Sequence, residues 1–182
     1  MKKLVIISIV AAMLLASGAA FAQTAATDAA SHEVRIVIPE VVMIRLTNGT
    51  SSSPVTTNTA VTFDLSSVAA DDLIGTHDAD VTDAWDDVKV FVNRNVTWNV
   101  AVAVAQTAGP ADVTFPWNQV SVTPSGLASP FTLSTAGTSI ASSTERGWQS
   151  LGFGQSDFAL ELFGSEIVGD YTATVTYTLT AP

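Results

Sequence analysis

The sequence predicts an all-β fold, an antiparallel two-sheet sandwich of the immunoglobulin-like or pilin-like kind with about eight or nine strands. Three observations carry this. Val96, Trp98, Val100, Val102 and Val104 alternate with Thr97, Asn99, Ala101, Ala103 and Ala105. Near the C-terminus, Tyr171, Ala173, Val175, Tyr177 and Leu179 alternate with Thr172, Thr174, Thr176, Thr178 and Thr180. A period of two puts one row in a core and the other outside. Beyond the first 22 residues no segment sustains the 3.6-residue period of a helix; the best helical candidate, Val81 to Val88, is short and Asp-rich. A closed barrel is the alternative arrangement.

The chain opens with Lys2 and Lys3, an apolar run from Leu4 to Leu15, and the small-residue exit Ala20-Phe21-Ala22. Residues 1–22 therefore read as a secretory signal peptide, removed before Gln23. A retained anchor fits less well, because a spanning helix needs roughly 20 apolar residues. Residues 23–31 are Ala/Thr-rich without periodicity and read as a flexible leader. Residues 32–182 then form a single β domain.

Within it, Glu33 to Ile38 alternates as a strand and ends at Pro39. Val41 to Leu46 is a second strand, and Thr47 to Thr59 is a long loop containing Asn48-Gly49 and Pro54. Ala60 to Leu65 is a short strand with Val61, Phe63 and Leu65 on one face. Ser66 to Asp87 reads as an acidic loop. Val88 to Val92 and Val96 to Ala105 read as a hairpin about Asn93-Arg94-Asn95, since asparagine tolerates positive φ. Gly109-Pro110 is a breaker. Asn118 to Thr123, Phe131 to Ser134 and Asp157 to Phe163 are further strands, while Ala136 to Gly154 is Ser/Thr/Gly-rich. The last strand, Tyr171 to Thr180, is expected to be well paired within a sheet.

Charge and composition exclude several functions. The 182 residues carry 7 Lys+Arg against 17 Asp+Glu, a net charge of −10, and loss of Lys2 and Lys3 makes it more negative. The remaining bases, Arg35, Arg45, Lys89, Arg94 and Arg146, are too dispersed for a phosphate-binding patch, so nucleic acid is not an expected partner. No second apolar run reaches spanning length, so no membrane insertion is expected after signal removal. There is no cysteine, hence no disulfide or thiolate chemistry. His32 and His77 are the only histidines, and Gly152-Phe153-Gly154-Gln155-Ser156 does not match a nucleophile elbow. Glu40, Glu161 and Glu166 lack the apolar setting that tunes a catalytic carboxyl. The chain reads as non-enzymatic.

Two constellations remain. Asp71, Asp72, Asp78, Asp80, Asp83, Asp86 and Asp87 lie close in sequence. Calcium takes six to eight oxygens, so Asp78, Asp80, Asp83, Asp86 and Asp87 are candidate ligands, although the glycine and closing glutamate of an EF-hand loop are missing. The alternative is a hydrated loop that keeps the protein soluble, and no cofactor is otherwise implied. Trp85, Trp117 and Trp148 fall in loops or near strand ends, where an exposed ring could stack on a sugar. Trp98, on the apolar face of a long strand, is a core residue.

Asn95-Val96-Thr97-Trp98-Asn99-Val100 and Gly169-Asp170-Tyr171-Thr172-Ala173-Thr174-Val175-Thr176-Tyr177-Thr178-Leu179 resemble the corresponding stretches of bacterial secreted WxL-domain envelope proteins. Their two W-x-L triplets stand here as Trp98-Asn99-Val100 and Tyr177-Thr178-Leu179, each with one departure. The resemblance implies a secreted β domain held non-covalently at the cell wall, with peptidoglycan as the anchoring polymer. The expected function is a secreted, non-enzymatic structural or adhesive component of the bacterial cell envelope, in periplasm, wall or surface. Its partners would be cell-wall polysaccharide or other envelope proteins. The alternatives are a carbohydrate-binding module and an assembling pilus-like subunit in which Glu33 to Leu46 is a donated strand.

Overall fold

The computed structural model describes residues 33–82 and 84–182. The expected signal peptide (1–22) and leader (23–31), with His32 and Asp83, lie outside the described residues. The chain divides into two units, Met1–Ile38 and Pro39–Pro182.

In the first unit, residues 33–38 are exposed and belong to no strand, contrary to the strand expected there. Alternation alone does not make a strand; a ladder partner must supply the hydrogen bonds.

The second unit is a β-sandwich-like structure of ten strands, and its described residues contain no α-helix. The strands are β1 (Val42–Thr47), β2 (Gly75–Asp78), β3 (Asp87–Val92), β4 (Trp98–Ala108) and β5 (Val120–Val122), then β6 (Phe131–Thr132), β7 (Thr138–Ser143), β8 (Gly147–Ser150), β9 (Phe158–Leu162) and β10 (Thr172–Thr180). They form three antiparallel sheets rather than two, ordered β1-β3-β8, β10-β4-β7 and β2-β9-β5-β6.

The expected hairpin between β3 and β4 is absent. The two strands belong to different sheets, and residues 93–97 form an arch from one sheet to the other. Val88, Val90 and Val92 line the core from the first sheet; Trp98, Val100, Val102 and Val104 line it from the second. A hairpin would have set these two apolar rows side by side on one sheet. The arch makes both rows walls of one core, burying more apolar surface for the same connection length. A second arch, residues 144–146, carries β7 of the second sheet into β8 of the first. The two arches stack, with Val92 opposite Gly147 and Trp98 opposite Ser143. The Trp98 indole N–H donates to the Glu145 carbonyl at 2.9 Å, tying one arch to the other. Gly147 leaves the second arch at φ +88°, a conformation that costs glycine little.

The third sheet closes the core. Val122 is opposite Phe158 and Phe131, and Val120 opposite Leu160. Phe153 is 5.5 Å from the Phe131 ring and 5.9 Å from Tyr177 of β10, so it joins the third sheet to the second. Gly152 permits this approach: it sits at φ +77°, and a Cβ there would lie 2.3 Å from the Gly126 backbone.

Three expected elements differ. Ala60 to Leu65 forms no strand, only a bridge between Thr62 and Asp80, although Val61, Phe63 and Leu65 do pack on the core as a row. The acidic stretch contains β2, and the Ser/Thr/Gly-rich stretch contains β7 and β8. As expected for an all-β chain, the described residues of Val81 to Val88 form no α-helix, and β3 begins among them.

Candidate functional site

The aspartates are dispersed by the fold. Asp80 accepts the Asp64 amide at 2.7 Å, and the Thr62–Asp80 bridge fixes this crossing. Both Asp86 oxygens accept the Gly49 amide, at 2.8 and 2.9 Å, closing the turn after β1. Asp87 is nearly buried at the start of β3 and accepts the Gly152 amide at 3.1 Å. Asp78 is exposed on β2, opposite Ala159. Among the described residues, no three acidic or histidine side chains are grouped to hold a metal ion. Of the carboxylates singled out as calcium ligands, Asp80, Asp86 and Asp87 instead serve separate backbone amides. A carboxylate offers these exposed N–H groups a strong acceptor, and neighbours in sequence then point to different loops.

Other carboxylates behave alike. Glu166 accepts the amides of Phe163 and Gly164 and the side-chain amide of Gln119, at 3.1, 2.8 and 2.7 Å. Partial desolvation acts to raise its pKa, but these hydrogen bonds to the charged form outweigh it and hold the carboxyl below its ordinary value. Asp64 is also lowered, by the side chain and backbone of Ser66. His77 bonds the Leu73 carbonyl at 2.9 Å through Nε2. A carbonyl can only accept, so Nε2 carries the proton. Burial raises the Tyr177 hydroxyl above its ordinary pKa.

The tryptophans separate into three environments. Trp85 is core, 3% exposed, with its N–H donating to the Thr59 carbonyl at 3.0 Å and its ring edge-on to Phe158. It is therefore not a sugar platform; a large apolar ring with one satisfied polar atom is stable inside. Trp117 is half-buried against Phe115, its N–H bonded to Gln106 at 3.3 Å. Trp148 lies on the outer face of the first sheet. Its ring is 5.3 Å from Phe91, with which it pairs across β3 and β8, and the Arg45 guanidinium sits 5.4 Å from the ring centroid. The structure does not place these three rings on one surface of exposed aromatics.

Arg45 and Lys89 are neighbours across β1 and β3. Arg45 donates to Ser52 O at 2.9 Å, and Lys89 to Gly49 O and Ser51 O at 2.9 and 3.0 Å. Two cations thus hold the loop after β1 against the sheet.

A buried polar side chain that sequence reasoning missed is Gln155, which makes four hydrogen bonds to two loops. It is 1% exposed. Its Oε1 accepts the Thr82 hydroxyl and the Ala84 amide at 3.1 and 3.2 Å, and its Nε2 donates to Asn58 O and Ala60 O at 3.2 and 2.8 Å. One amide therefore ties Asn58 and Ala60 to Thr82 and Ala84, beside the Thr62–Asp80 bridge and the Trp85–Thr59 bond. The only signal in the sequence was Gly154 before it: a Cβ there would lie 2.4 Å from Asp86 Cα, so the two backbones touch.

Among the described residues, two surface features show no such structural use. One is the exposed apolar run at residues 34–38. The other is the outer side of β10, which pairs with β4 alone among the described residues. Compared with protein-family models, curated proteins and solved structures, the chain matches none.

Proposed function

We propose that the protein is a secreted, non-enzymatic structural component of the bacterial cell envelope. The observation that carries this reading is the use of its polar side chains. Asp80, Asp86, Asp87, Glu166, His77 and Gln155 all bond the protein's own backbone. Groups held this way define loops; a catalytic acid, base or nucleophile keeps a polar atom aimed at a reacting centre. The signal-like residues 1–22 and the WxL-type resemblance support the compartment. Envelope proteins or wall polysaccharide are the partners this reading supplies.

Fractionation of the native host into medium, periplasm, wall and outer membrane tests it, with N-terminal mass analysis of the recovered chain. The expected species starts at Gln23 and sits in the envelope. An intact Met1 in a cytoplasmic fraction overturns the reading.

The carbohydrate-binding alternative is favoured only by Trp148 with Phe91 on the outer face of the first sheet. Arg45 covers part of that ring, so binding would require the guanidinium to move. The assembling-subunit alternative has stronger support, from residues 34–38.

A further inference from the structure

We infer that residues 33–38 of one copy of this chain add as an extra strand to the free edge of β10 in a second copy, giving head-to-tail assemblies. The inference rests on the structural-component reading and names its partner.

The acceptor is unusual for an edge. β10 is nine residues long, TATVTYTLT, without charge, proline or glycine. Edge strands that stay single are guarded by such residues, or kept short, because their free N–H and C=O groups template further pairing. Here the single irregularity is a register shift at Thr172/Ala173, at one end. The core beneath is also incomplete. On β4 the inward row Trp98, Val100, Val102 and Val104 is fully buried, whereas Ala173, Val175, Tyr177 and Leu179 on β10 are only half-buried. One more strand would cover them.

The donor has the matching pattern. Val34, Ile36 and Ile38 are 70%, 78% and 77% exposed. They fall on one side of an extended chain, with Glu33, Arg35 and Val37 on the other. Laid along β10, the first row continues Val175, Tyr177 and Leu179, and the second continues the exposed threonines. Six residues span about 20 Å, well within the β10 ladder.

Connectivity favours a second copy. Asn93 bonds Pro39 O and the Val41 amide, at 2.7 and 2.8 Å, fixing where the segment joins β1 at the arch end of the molecule. β10 also runs toward that end, since Thr180 is opposite Asn99. A segment leading into its own Pro39 could add to its own β10 only in parallel. Another copy can add antiparallel, the slightly more stable pairing. The contact joins two different surfaces, so it propagates as an open filament unless the rotation closes a ring.

The full-length chain has no native cysteine, so engineered thiols report cleanly. Chains carrying Arg35→Cys are mixed and oxidised with chains carrying Thr174→Cys, Thr176→Cys or Thr178→Cys. Mixed disulfide dimers are expected in one register, and none with Ser142→Cys on β7, the opposite edge of that sheet. In sedimentation, wild-type chains should associate with rising concentration, and Ile36→Asp should weaken this at least tenfold with an unchanged melting curve. The Ile36 side chain is exposed, so folding is not at stake. Wild-type chains that stay monomeric and give no β10 crosslink overturn the proposal. So does a disulfide confined to one chain in the Arg35→Cys/Thr176→Cys double variant. Neither result alters fractionation, which tests the envelope reading separately.

Discussion

Replacing Gln155 with leucine keeps nearly the same volume and removes four hydrogen bonds at once. The donors and acceptors left behind are the Thr82 hydroxyl, the Ala84 amide and the carbonyls of Asn58 and Ala60. A neutral hydrogen bond contributes a net ~1 kcal/mol, and a buried group left unpaired costs about 1–3 kcal/mol. Thr82, Asn58 and Ala60 lie at exposed positions and recover water, whereas Ala84 is half-buried. The expected loss is therefore about 3–4 kcal/mol, four ordinary hydrogen bonds with little added penalty. Urea denaturation followed by tryptophan fluorescence measures it, and an unchanged m-value would show that the unfolded reference is the same. Gln155→Glu is the companion variant. It keeps an acceptor for Thr82 and Ala84 but sets a carboxylate against two carbonyls. That repulsion is relieved only by protonation, so this variant should lose most stability near neutral pH and regain part of it as pH falls. A Gln155→Leu loss below about 1 kcal/mol, the size of one such bond, would show that the Thr62–Asp80 bridge and the Trp85–Thr59 bond suffice to hold the two loops.

Two further outcomes follow from the fold. Trp98→Ala should cost about 3–5 kcal/mol by denaturation, the range for deleting a large buried aromatic, whereas Trp98→Phe should cost about 1 kcal/mol more than its packing loss, for the bond to Glu145; a negligible effect of Trp98→Ala would place the ring outside the core. Millimolar calcium should leave the melting temperature unchanged, because Asp80, Asp86 and Asp87 already serve separate amides; a rise equivalent to about 2.7 kcal/mol at a hundredfold excess over Kd, absent with magnesium and lost in Asp78→Asn with Asp80→Asn, would instead assign the acidic stretch as a metal site.

The sequence by itself determined the class of the fold and the inward rows of its clearest strands. Val88 to Val92, Trp98 to Val104, Phe158 to Leu162 and the threonine ladder of β10 were legible because a period of two marks which side chains leave water. Burial is a property each residue contributes locally, and alternation records it directly. β2, β7 and β8 were not legible. Gly75-Thr76-His77-Asp78 and Gly147-Trp148-Gln149-Ser150 carry no alternation, and they are strands only because β9 and β3 supply a ladder.

Pairing was decided by the tertiary structure alone. The five residues 93–97 could turn β4 beside β3 or carry it across the core, and the strand pattern is the same for both. The choice follows from burying two valine-rich rows against each other, with Trp98 bonded to the neighbouring arch. The same holds for the acidic stretch: spacing set Asp78, Asp80, Asp86 and Asp87 close along the chain, while different backbone amides in space took Asp80, Asp86 and Asp87. Gln155 shows the limit most plainly. A lone glutamine after a glycine carries no periodic signal, and its four partners lie 71 to 97 residues away, at distances along the chain where only the folded core brings donor and acceptor together.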